Sequence, residues 1–578
     1  MKYLVLAEKP DQAKKYAMAL GDAKNEKGVW RVKTKIIAGE VSIVSAVGHL
    51  VEIKNPYQNY ENWNLDNLPA FPEKFEYEVK SDKKRQFNLI KTEVRKADAI
   101  IIGTDADREG EAIAYLILRL IPNALKKIKY RLWVNSLTES GIVKAFKNLR
   151  PAQETAQYAE EAEARAKADW LVGFNLSPWT SLKLGEMGLL AEKDKKMSVG
   201  RVQTPIVSLI VENDLSIEQF EAEPYWKIEL EDESGTIFKN KVKYKTVEDA
   251  QNVLNTLDEY SIVKQVQSEN KAVSAPNLYH LTSLQSEMSK KYHFDSAYTL
   301  ELAQSLYQKG ITSYPRTDHK LITQNEFDYL CKHLEGYKKL LNITDDLPNT
   351  RPRKKYVQEK QMEHYAIIPT ENIAEVANLE GDEKTVYFEI LKRTILMFAS
   401  DYHYQATQVI LENHNQEFVA KGNVMTSEGW TKFAEKENKD AILPTYHQGS
   451  QLITHINLKE DKTKPPKRLT ESSLLDEVLP KYNLGTPATR AGIIKTIIDR
   501  DYITRDKKTG QLFPTDRGKI LVLFLDNFEV MYTNPATTGK WETALQLIGQ
   551  GKRSKDWFIE QTKKAIKNQL EKEVIIVG

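Results

Sequence analysis

Cysteine is nearly absent from this chain, because Cys331 is the one cysteine among 578 residues. A single thiol excludes an intrachain disulfide framework and any zinc site that needs several cysteines. The scarcity is typical of proteins from a reducing compartment. We interpret Cys331 itself as a small buried apolar side chain.

Long hydrophobic runs and an excess of one charge sign are absent too. The N-terminal apolar run in MKYLVLAEKP is too short for a signal peptide, and no run approaches membrane-spanning length, which predicts a cytoplasmic protein. The chain has 83 Lys and Arg against 81 Asp and Glu, so its net charge is only +2. Any binding to nucleic acid must therefore depend on local basic surfaces. The phosphate-binding motif Gly-x-x-x-x-Gly-Lys-[Ser/Thr] is missing, which predicts no nucleotide cofactor.

The length and the patterning predict several domains of different class. A chain of 578 residues exceeds one core, and 41% hydrophobic with 28% charged residues is typical of globular proteins. Residues 3–7 and 99–103 are short apolar strands, and the second runs through an acidic loop into an apolar helix. This order predicts a parallel α/β domain whose site lies at the carboxyl ends of the strands. Residues 151–182 then have helical periodicity.

Further along, two alternating β-rich pieces, near residues 225–231 and 404–411, bracket a helical insert and predict a discontinuous β domain. Within the insert a helix is expected from about 296 to 309, with Gly310 as its C-cap. Near the C-terminus an apolar helix after Thr489-Arg490, followed by a two-stranded wing at residues 510–518, indicates a winged-helix element.

The segment SYPRTD at residues 313–318 is the most informative motif. It places a phenol, Tyr314, beside a guanidinium, Arg316, just beyond the predicted helix end. A tyrosine can open a phosphodiester by becoming esterified to the phosphate, while an arginine binds the charge on the phosphoryl oxygens. Pro315 favours an extended backbone at Tyr314, so the phenol should project from a loop.

A second constellation is acidic. Asp105, Asp107 and Glu109 alternate after a buried strand, and in an extended loop all three carboxylates would point the same way and could hold Mg²⁺. The strand-end pair Glu8-Lys9 is expected to face them, adding a further acid and an ammonium that can donate a proton or bind phosphate. A pair of solvated loop ends is the alternative.

With these residues the chain resembles the type IA DNA topoisomerases, and within them the bacterial topoisomerase III group. The matching motifs stand in family order and span nearly the whole chain: EKP at 8–10, TDADREGE at 104–111, SVGRVQTP at 198–205, SYPRTD at 313–318, HYAIIPT at 364–370 and GTPATR at 485–490. Pro315 and Ile368 stand where topoisomerase I more often has methionine and arginine. Lys167 stands where the family often has arginine.

The resemblance implies a role for each matching residue. Tyr314 is the expected nucleophile of a 5′-phosphotyrosine link, Arg316 positions the scissile phosphate, Lys9 is the general acid and His364 influences cleavage. Glu8, Asp105, Asp107 and Glu109 form the expected Mg²⁺ cluster of a Toprim domain. The expected DNA contacts are Arg165, Asp169, Ser198, Val199, Gly200, Arg201, Val202, Gln203 and Arg490. Outside its motif His364 would be interpreted as a core histidine. Arg201 and Gln203 alternate as on a strand, which predicts that both face a bound DNA backbone, and the basic run Lys193, Lys195, Lys196 and Arg201 fits a groove that follows phosphates. A solvated charged face remains the alternative for the three lysines.

The family also implies an architecture and an activity. We expect a toroid with a Toprim domain (1–150), a helical DNA-binding domain with winged-helix character (151–215 plus 465–578), a β-rich hinge or arch (216–275 plus 400–464) and a helical domain carrying the tyrosine (276–399). The expected activity is magnesium-dependent, ATP-independent cleavage, passage and rejoining of single strands, relaxing negative supercoils and decatenating chromosomal or plasmid DNA. The sequence carries no signal for a protein partner such as a helicase or a single-strand-binding protein.

Two other function classes stay open. A Toprim nuclease would use the acidic cluster with water as nucleophile, but it leaves the Tyr314 motif unexplained. A binding module with a dead site would have lost the tyrosine or an acid, and all are present. A primase would need a zinc module, which one cysteine cannot build.

Overall fold

The computed structural model describes residues 1–55, 63–190, 196–360, 362–434 and 440–572. Among these residues no helix combines the length and the apolar character needed to cross a membrane.

The N-terminal region is built on a mixed seven-stranded sheet with the strand order β2-β3-β4-β1-β7-β8-β9. Its elements are β1 (Lys2–Ala7), α1 (Pro10–Leu20), β2 (Asp22–Glu26), β3 (Val29–Lys33), β4 (Glu40–Ser45), β5 (Val51–Ile53), β6 (Tyr77–Val79), α2 (Lys84–Lys96), β7 (Ala99–Gly103), α3 (Arg108–Arg119), β8 (Ile128–Arg131), α4 (Glu139–Lys147) and β9 (Arg150–Pro151). The central strand β1 is parallel to β4 and β7, and β7 is parallel to β8. All of β7 is buried, as expected of a central parallel strand with both faces covered. The predicted parallel α/β domain is confirmed.

The β-rich pieces form one closed barrel with the order β10-β11-β16-β15-β12-β17. Its elements come from two separate chain segments: β10 (Pro224–Asp232), β11 (Ile237–Lys239), α7 (Val247–Leu254) and β12 (Tyr260–Val273) from the first, β15 (Tyr402–Asn413), β16 (Gln416–Ser427) and β17 (Gln451–Lys462) from the second. The long pairing of β12 with β15 joins the two segments. A discontinuous β region, as the alternating patterns predict, is therefore what the chain forms.

The helical insert lies between β12 and β15 and has its own hydrophobic core. Its elements are α8 (Leu281–Tyr292), α9 (Ser296–Lys309), β13 (Ile322–Thr323), α10 (Gln324–Leu340), β14 (Val357–Gln358) and α11 (Gly381–Leu396). The predicted bounds of α9 are confirmed, and the helix ends at Gly310, whose φ of 74° is a left-handed conformation that favours glycine. Tyr314 follows in the loop of the insert just beyond this helix end.

The remaining helices share one large core, although they come from two segments that are far apart in the chain. They are α5 (Ala156–Glu186), α6 (Gln203–Glu218), α12 (Glu471–Ser473), α13 (Leu479–Lys481), α14 (Pro487–Asp499), α15 (Asp516–Asn527), α16 (Pro535–Gly549) and α17 (Lys555–Leu570), with the hairpin of β18 (Ile503–Arg505) and β19 (Leu512–Pro514). The wing is present, but it spans 503–514, whereas the sequence placed it at 510–518. The sequence prediction followed the glycines, and Gly510 marks the turn between the two strands instead of their start.

Candidate active site

The site begins at the carboxyl ends of β1 and β7. These strands are neighbours with Ala7 opposite Gly103, so the residues that follow them, Glu8 and the loop from Thr104, are brought together. The backbone N–H of Asp105 donates to Glu8 Oε2 at 3.2 Å. The predicted meeting of the two strand ends is what the structure shows.

The acidic loop differs in one respect from the predicted extended run. Asp107 is the N-cap of α3 and accepts a hydrogen bond from the backbone N–H of Gly110 at 2.7 Å. Glu109 therefore belongs to the first helical turn, and the expectation that all three carboxylates alternate along an extended strand is wrong. An N-cap aspartate satisfies an otherwise unpaired helix donor, which is why the helix begins this early.

Tyr314 reaches this loop from the insert. Its phenol donates a hydrogen bond to Asp107 Oδ2 at 2.6 Å, and its backbone N–H donates to the carbonyl of Asn135 at 2.9 Å. The residue is only 1% exposed. Burial, followed by the charges of Asp107 and Asp105, raises the pKa of Tyr314 well above its ordinary value. The resting phenol is therefore fully protonated at neutral pH.

Arg316 lies against the same carboxylates, with Nη1 3.2 Å from Glu109 Oε2 and 3.6 Å from Asp107 Oδ2. Burial alone would raise the pKa of Asp107, but the charge of Arg316 and the hydrogen bond from Tyr314 outweigh it and hold the pKa below its usual value. Asp107 is thus ionised and able to accept the phenolic hydrogen.

Glu8 and Lys9 complete the acidic side of the site. The Nζ atom of Lys9 lies 3.9 Å from Glu8 Oε1 and 4.0 Å from Asp105 Oδ2. Burial, together with the charges of Asp105 and Asp107, raises the pKa of Glu8 to about 8. Four carboxyl groups therefore lie together with the two cations Lys9 and Arg316, and a bound cation would favour their ionised forms.

His364 covers the other side of the tyrosine. Its ring stacks on Tyr314 with centroids 5.0 Å apart, and its Nδ1 lies 2.9 Å from Asn135 Oδ1. Burial lowers the pKa of His364 to about 4, so the imidazole is neutral at pH 7. All eight predicted catalytic and metal residues thus converge on one place.

The donor set fits a divalent cation in its chemistry. It consists of carboxylate oxygens, which Mg²⁺ prefers, and Asp105 Oδ2 is buried without a hydrogen-bond partner. The carboxylates are not gathered as ligands in this conformation, since no group of three or more His, Cys, Asp or Glu side chains in the described ranges is arranged to hold a metal. Tyr314, Arg316 and His49 occupy the oxygens of Asp107 and Glu109 instead.

The predicted DNA contacts line two cavities that share Asp169, or are buried in the helical core. Arg165 and Asp169 line a cavity of about 550 Å³ that opens beside Asp107, Glu109 and Arg316. The segment Ser198–Gln203 borders a second cavity of about 510 Å³ together with Trp170 and Phe174. Val199 and Val202 are buried in the helical core. Arg490 is buried as well, and its Nε donates to the carbonyl of Leu484 at 3.0 Å.

The Arg201 side chain is buried in this structure, and its predicted DNA contact stays a prediction. The expectation that Arg201 and Gln203 alternate along a strand is wrong, because α6 begins at Gln203. The Arg201 side chain is 0% exposed and is paired with Asp169 Oδ1 at 2.9 Å and Glu542 Oε1 at 2.6 Å. It links α5, α6 and α16 from within the core. Of the predicted basic run, Lys196 is exposed, while Lys193 and Lys195 lie outside the described residues.

Sequence reasoning missed several residues that touch the site, and three of them lie beside Glu109, Tyr314 and His364. His49 Nε2 lies 2.9 Å from Glu109 Oε1, Asn135 contacts both Tyr314 and His364, and the Trp133 ring lies 5.5 Å from that of His364. Asn135 and Trp133 follow β8, the next parallel strand after β7. The rule that sites gather at carboxyl strand ends could have flagged this loop, but strand β8 is too short to be recognised by its pattern.

Comparison with known proteins identifies the family of this chain. A family model described as DNA topoisomerase matches residues 153–560, and a model of the Toprim domain matches residues 3–137. The chain belongs to the type IA DNA topoisomerases.

Relatives of this topoisomerase extend over almost all of its length. It is 32% identical to DNA topoisomerase 1 of Alkalihalophilus pseudofirmus, across 97% of this chain and 83% of the relative. It is 31% identical to DNA topoisomerase 3 of Bacillus subtilis, across 98% and 82%. The solved structure of full-length topoisomerase I from Thermotoga maritima has the same fold, with a TM-score of 0.74, 23% identity, and coverage of 98% of this chain and 90% of that one. The enzyme is therefore a DNA topoisomerase, an isomerase that acts on DNA.

Proposed function

We propose that this topoisomerase cleaves a single DNA strand through Tyr314 and holds the new 5′ end as a phosphotyrosine. The hydrogen bond from the Tyr314 phenol to Asp107 supports the assignment, because it brings the nucleophile of the insert to the acidic loop of the Toprim domain. Arg316 lies beside both and carries the positive charge that a scissile phosphate needs.

In the cleavage step the phenolic oxygen of Tyr314 forms a bond to phosphorus, and the bond from phosphorus to the 3′ oxygen breaks. The phenolic hydrogen passes to Asp107, which already accepts it in the resting site. The departing 3′ oxygen takes a proton from Lys9, whose ammonium stands beside Glu8 and Asp105. Rejoining is the reverse. Because one ester replaces another, the energy of the bond is conserved and no ATP is needed.

The Toprim acids would hold Mg²⁺ through the carboxylates of Glu8, Asp105, Asp107 and Glu109. When bound, the ion supplies positive charge against the phosphoryl oxygens and against the mutual repulsion of these acids. The burial of Glu8 and Asp105 and the lack of a hydrogen-bond partner at Asp105 Oδ2 support this ligand set, because buried carboxylates need a compensating charge.

We further propose that the substrates are negatively supercoiled DNA, in which local unpairing exposes single strands, and catenated DNA. The 31% identity to a topoisomerase 3 and the presence of Pro315 and Ile368 support this assignment. The predicted division into four domains also stands as part of the proposal, with the insert as a gate. The insert joins the barrel through β12 and β15, so it can swing away from the Toprim domain while remaining tethered.

The decisive experiment labels a single-stranded oligonucleotide at its 3′ end and incubates it with the enzyme and with Tyr314→Phe. We expect label on the denatured protein for the wild type and none for the variant, because only a 5′-phosphotyrosine retains that end. Cleavage without an adduct, undiminished in Tyr314→Phe, would indicate a Toprim nuclease with water as the nucleophile.

A further inference from the structure

Asn135 lies in the loop between β8 and α4, and three of its hydrogen-bonding groups contact the insert. Its backbone carbonyl accepts from the N–H of Tyr314 at 2.9 Å. Its Oδ1 lies 2.9 Å from His364 Nδ1, and its Nδ2 donates to the carbonyl of Glu363 at 3.0 Å. We propose that Asn135 is a positioning residue that aligns Tyr314 and His364 when the insert closes on the Toprim domain. This inference rests on the proposed role of Tyr314 as nucleophile.

The loop that carries Asn135 is rigid, which a positioning element requires. Arg131 is fully buried and donates from its guanidinium to the carbonyls of Thr104, Asp105 and Leu132 at 2.9, 2.5 and 2.6 Å. It also pairs with Glu111 at 2.5 Å. One arginine thus fastens the acidic loop after β7 to the Asn135 loop after β8. The two loops form a single fixed surface, so a group aligned by Asn135 is aligned to the acids as well.

Trp133 strengthens the same loop from the other side. The guanidinium groups of Arg131 and Arg150 both lie over its ring, at 5.0 and 4.9 Å from the ring centroid. Its Nε1 donates to the Glu363 carbonyl at 2.8 Å, the same oxygen that accepts from Asn135. The backbone just before His364 is therefore held by two donors from the Toprim loop.

Asn135 contacts the insert at two places, the backbone of Tyr314 and the imidazole of His364. Tyr314 and His364 come from separate segments of the insert, and their rings stack on each other. The backbone bond fixes where the Tyr314 segment sits, while the amide fixes the imidazole against which the phenol packs. Attack on phosphorus demands a closely defined approach, so small misplacement of the phenol costs rate without costing DNA affinity.

The test separates alignment from binding. We expect Asn135→Ala to slow adduct formation at saturating single-stranded DNA by about tenfold or more, with DNA affinity within about twofold of the parent. Affinity is measured in the Tyr314→Phe background, where cleavage cannot occur. The matched control is Asn148→Ala, because the Asn148 amide donates within its own domain to the carbonyl of Lys144. An Asn135→Ala enzyme that cleaves like Asn148→Ala, or that loses affinity in proportion to rate, would overturn the inference.

Thermal unfolding guards against a simple loss of folding. If Asn135→Ala unfolds at a lower temperature than Asn148→Ala, the rate comparison uses Asn135→Leu, which has a similar shape but no hydrogen-bonding groups in its side chain. The same loss of about tenfold is expected.

A double-mutant cycle then asks whether the side chain acts through His364. Asn135→Ala should cost little further rate in a His364→Ala background, whereas independent, multiplying losses would contradict the inference. If the wild-type enzyme itself forms no Tyr314 adduct, the proposed function fails and not the alignment role alone.

Discussion

Glu542 is the residue whose change tests most sharply how the helical core is built. It lies on α16 and accepts hydrogen bonds from Arg165 Nη1 at 2.7 Å and Arg201 Nη1 at 2.6 Å. Its side chain is 3% exposed and that of Arg201 is 0% exposed. Glu542→Gln removes the negative charge and keeps the shape. Arg201 would be left buried with Asp169 as its one remaining carboxylate partner among the described residues.

Two routes give the size of the effect. Burial alone would raise the pKa of Glu542, but Arg201 and Arg165 lower it from 4.5 to about 2. At about 1.4 kcal/mol per pKa unit this corresponds to about 3 kcal/mol of stability at pH 7. Breaking a buried ion pair by removing one partner costs about 3–5 kcal/mol in general. Both routes predict that Glu542→Gln lowers the free energy of unfolding by about 3 kcal/mol.

The sign of the pH dependence follows from the lowered pKa. The stabilisation is complete well above pH 4.5 and declines as the pH falls toward 2. Over this range Glu542 binds a proton in the unfolded chain, whereas it stays ionised in the folded chain. The difference between wild type and Glu542→Gln should therefore be constant from neutral pH down to about 5 and shrink below it.

Guanidinium unfolding followed by tryptophan fluorescence is the assay. Trp541 precedes Glu542 on α16 and packs edge-on against Tyr532 and Phe558, at 5.6 and 5.4 Å, so its emission reports on this core. The control is Glu560→Gln on α17, because Glu560 is 66% exposed and pairs with Lys563 at the surface. The control should cost less than about 0.5 kcal/mol. If Glu542→Gln unfolds like the control, the buried network of Arg201 is not what stabilises this core, and the reasoning is refuted.

Three further predictions concern the active site. Gly110→Ala should slow adduct formation by about 100-fold, because a Cβ there would lie 2.1 Å from the Asp105 carbonyl and displace the acidic loop; Gly185→Ala, with no atom within 4 Å of the added carbon, should cleave normally in the same assay. Arg316→Lys should reduce cleavage by about 100-fold with little change in DNA affinity, since a lysine ammonium cannot reproduce the planar guanidinium beside Asp107 and Glu109; equal losses in affinity and rate would contradict this. Removing divalent cations with EDTA should abolish relaxation of supercoiled plasmid and added Mg²⁺ should restore it, while single-strand binding by Tyr314→Phe persists; relaxation that survives EDTA would exclude the proposed metal role.

Sequence patterns were reliable where a physical rule ties a residue to a place. Alternation predicted the two β pieces, and a glycine after an amphipathic run predicted the end of α9 at Gly310. The convergence of Glu8 with Asp105 followed from the rule for parallel strands. Tyr314 and Arg316 could be singled out because phosphate chemistry needs those groups close together.

The misses have a common physical origin. Composition treats an arginine such as Arg201 as a surface cation, but Arg201 pairs in the core with Glu542, which lies more than 300 positions away in the chain. Asn135 carries no charge and stands in no recognised motif, so only the fold reveals that it touches two separate segments of the insert. Glu109 was misplaced because Asp107 caps a helix, and that choice depends on the backbone of Gly110. Long-range pairing and local capping are decided by tertiary structure, which periodicity does not contain.

The burial of Tyr314 has a consequence for the integrity of a genome. An enzyme that cuts DNA strands spends most of its time near DNA that should remain intact. On the proposed mechanism, a resting copy whose Tyr314 is 1% exposed and hydrogen-bonded to Asp107 does not cut a strand that only touches its surface. On this mechanism, cleavage begins only after a strand has entered the site far enough to displace these contacts. The bound DNA itself therefore controls when it is cut.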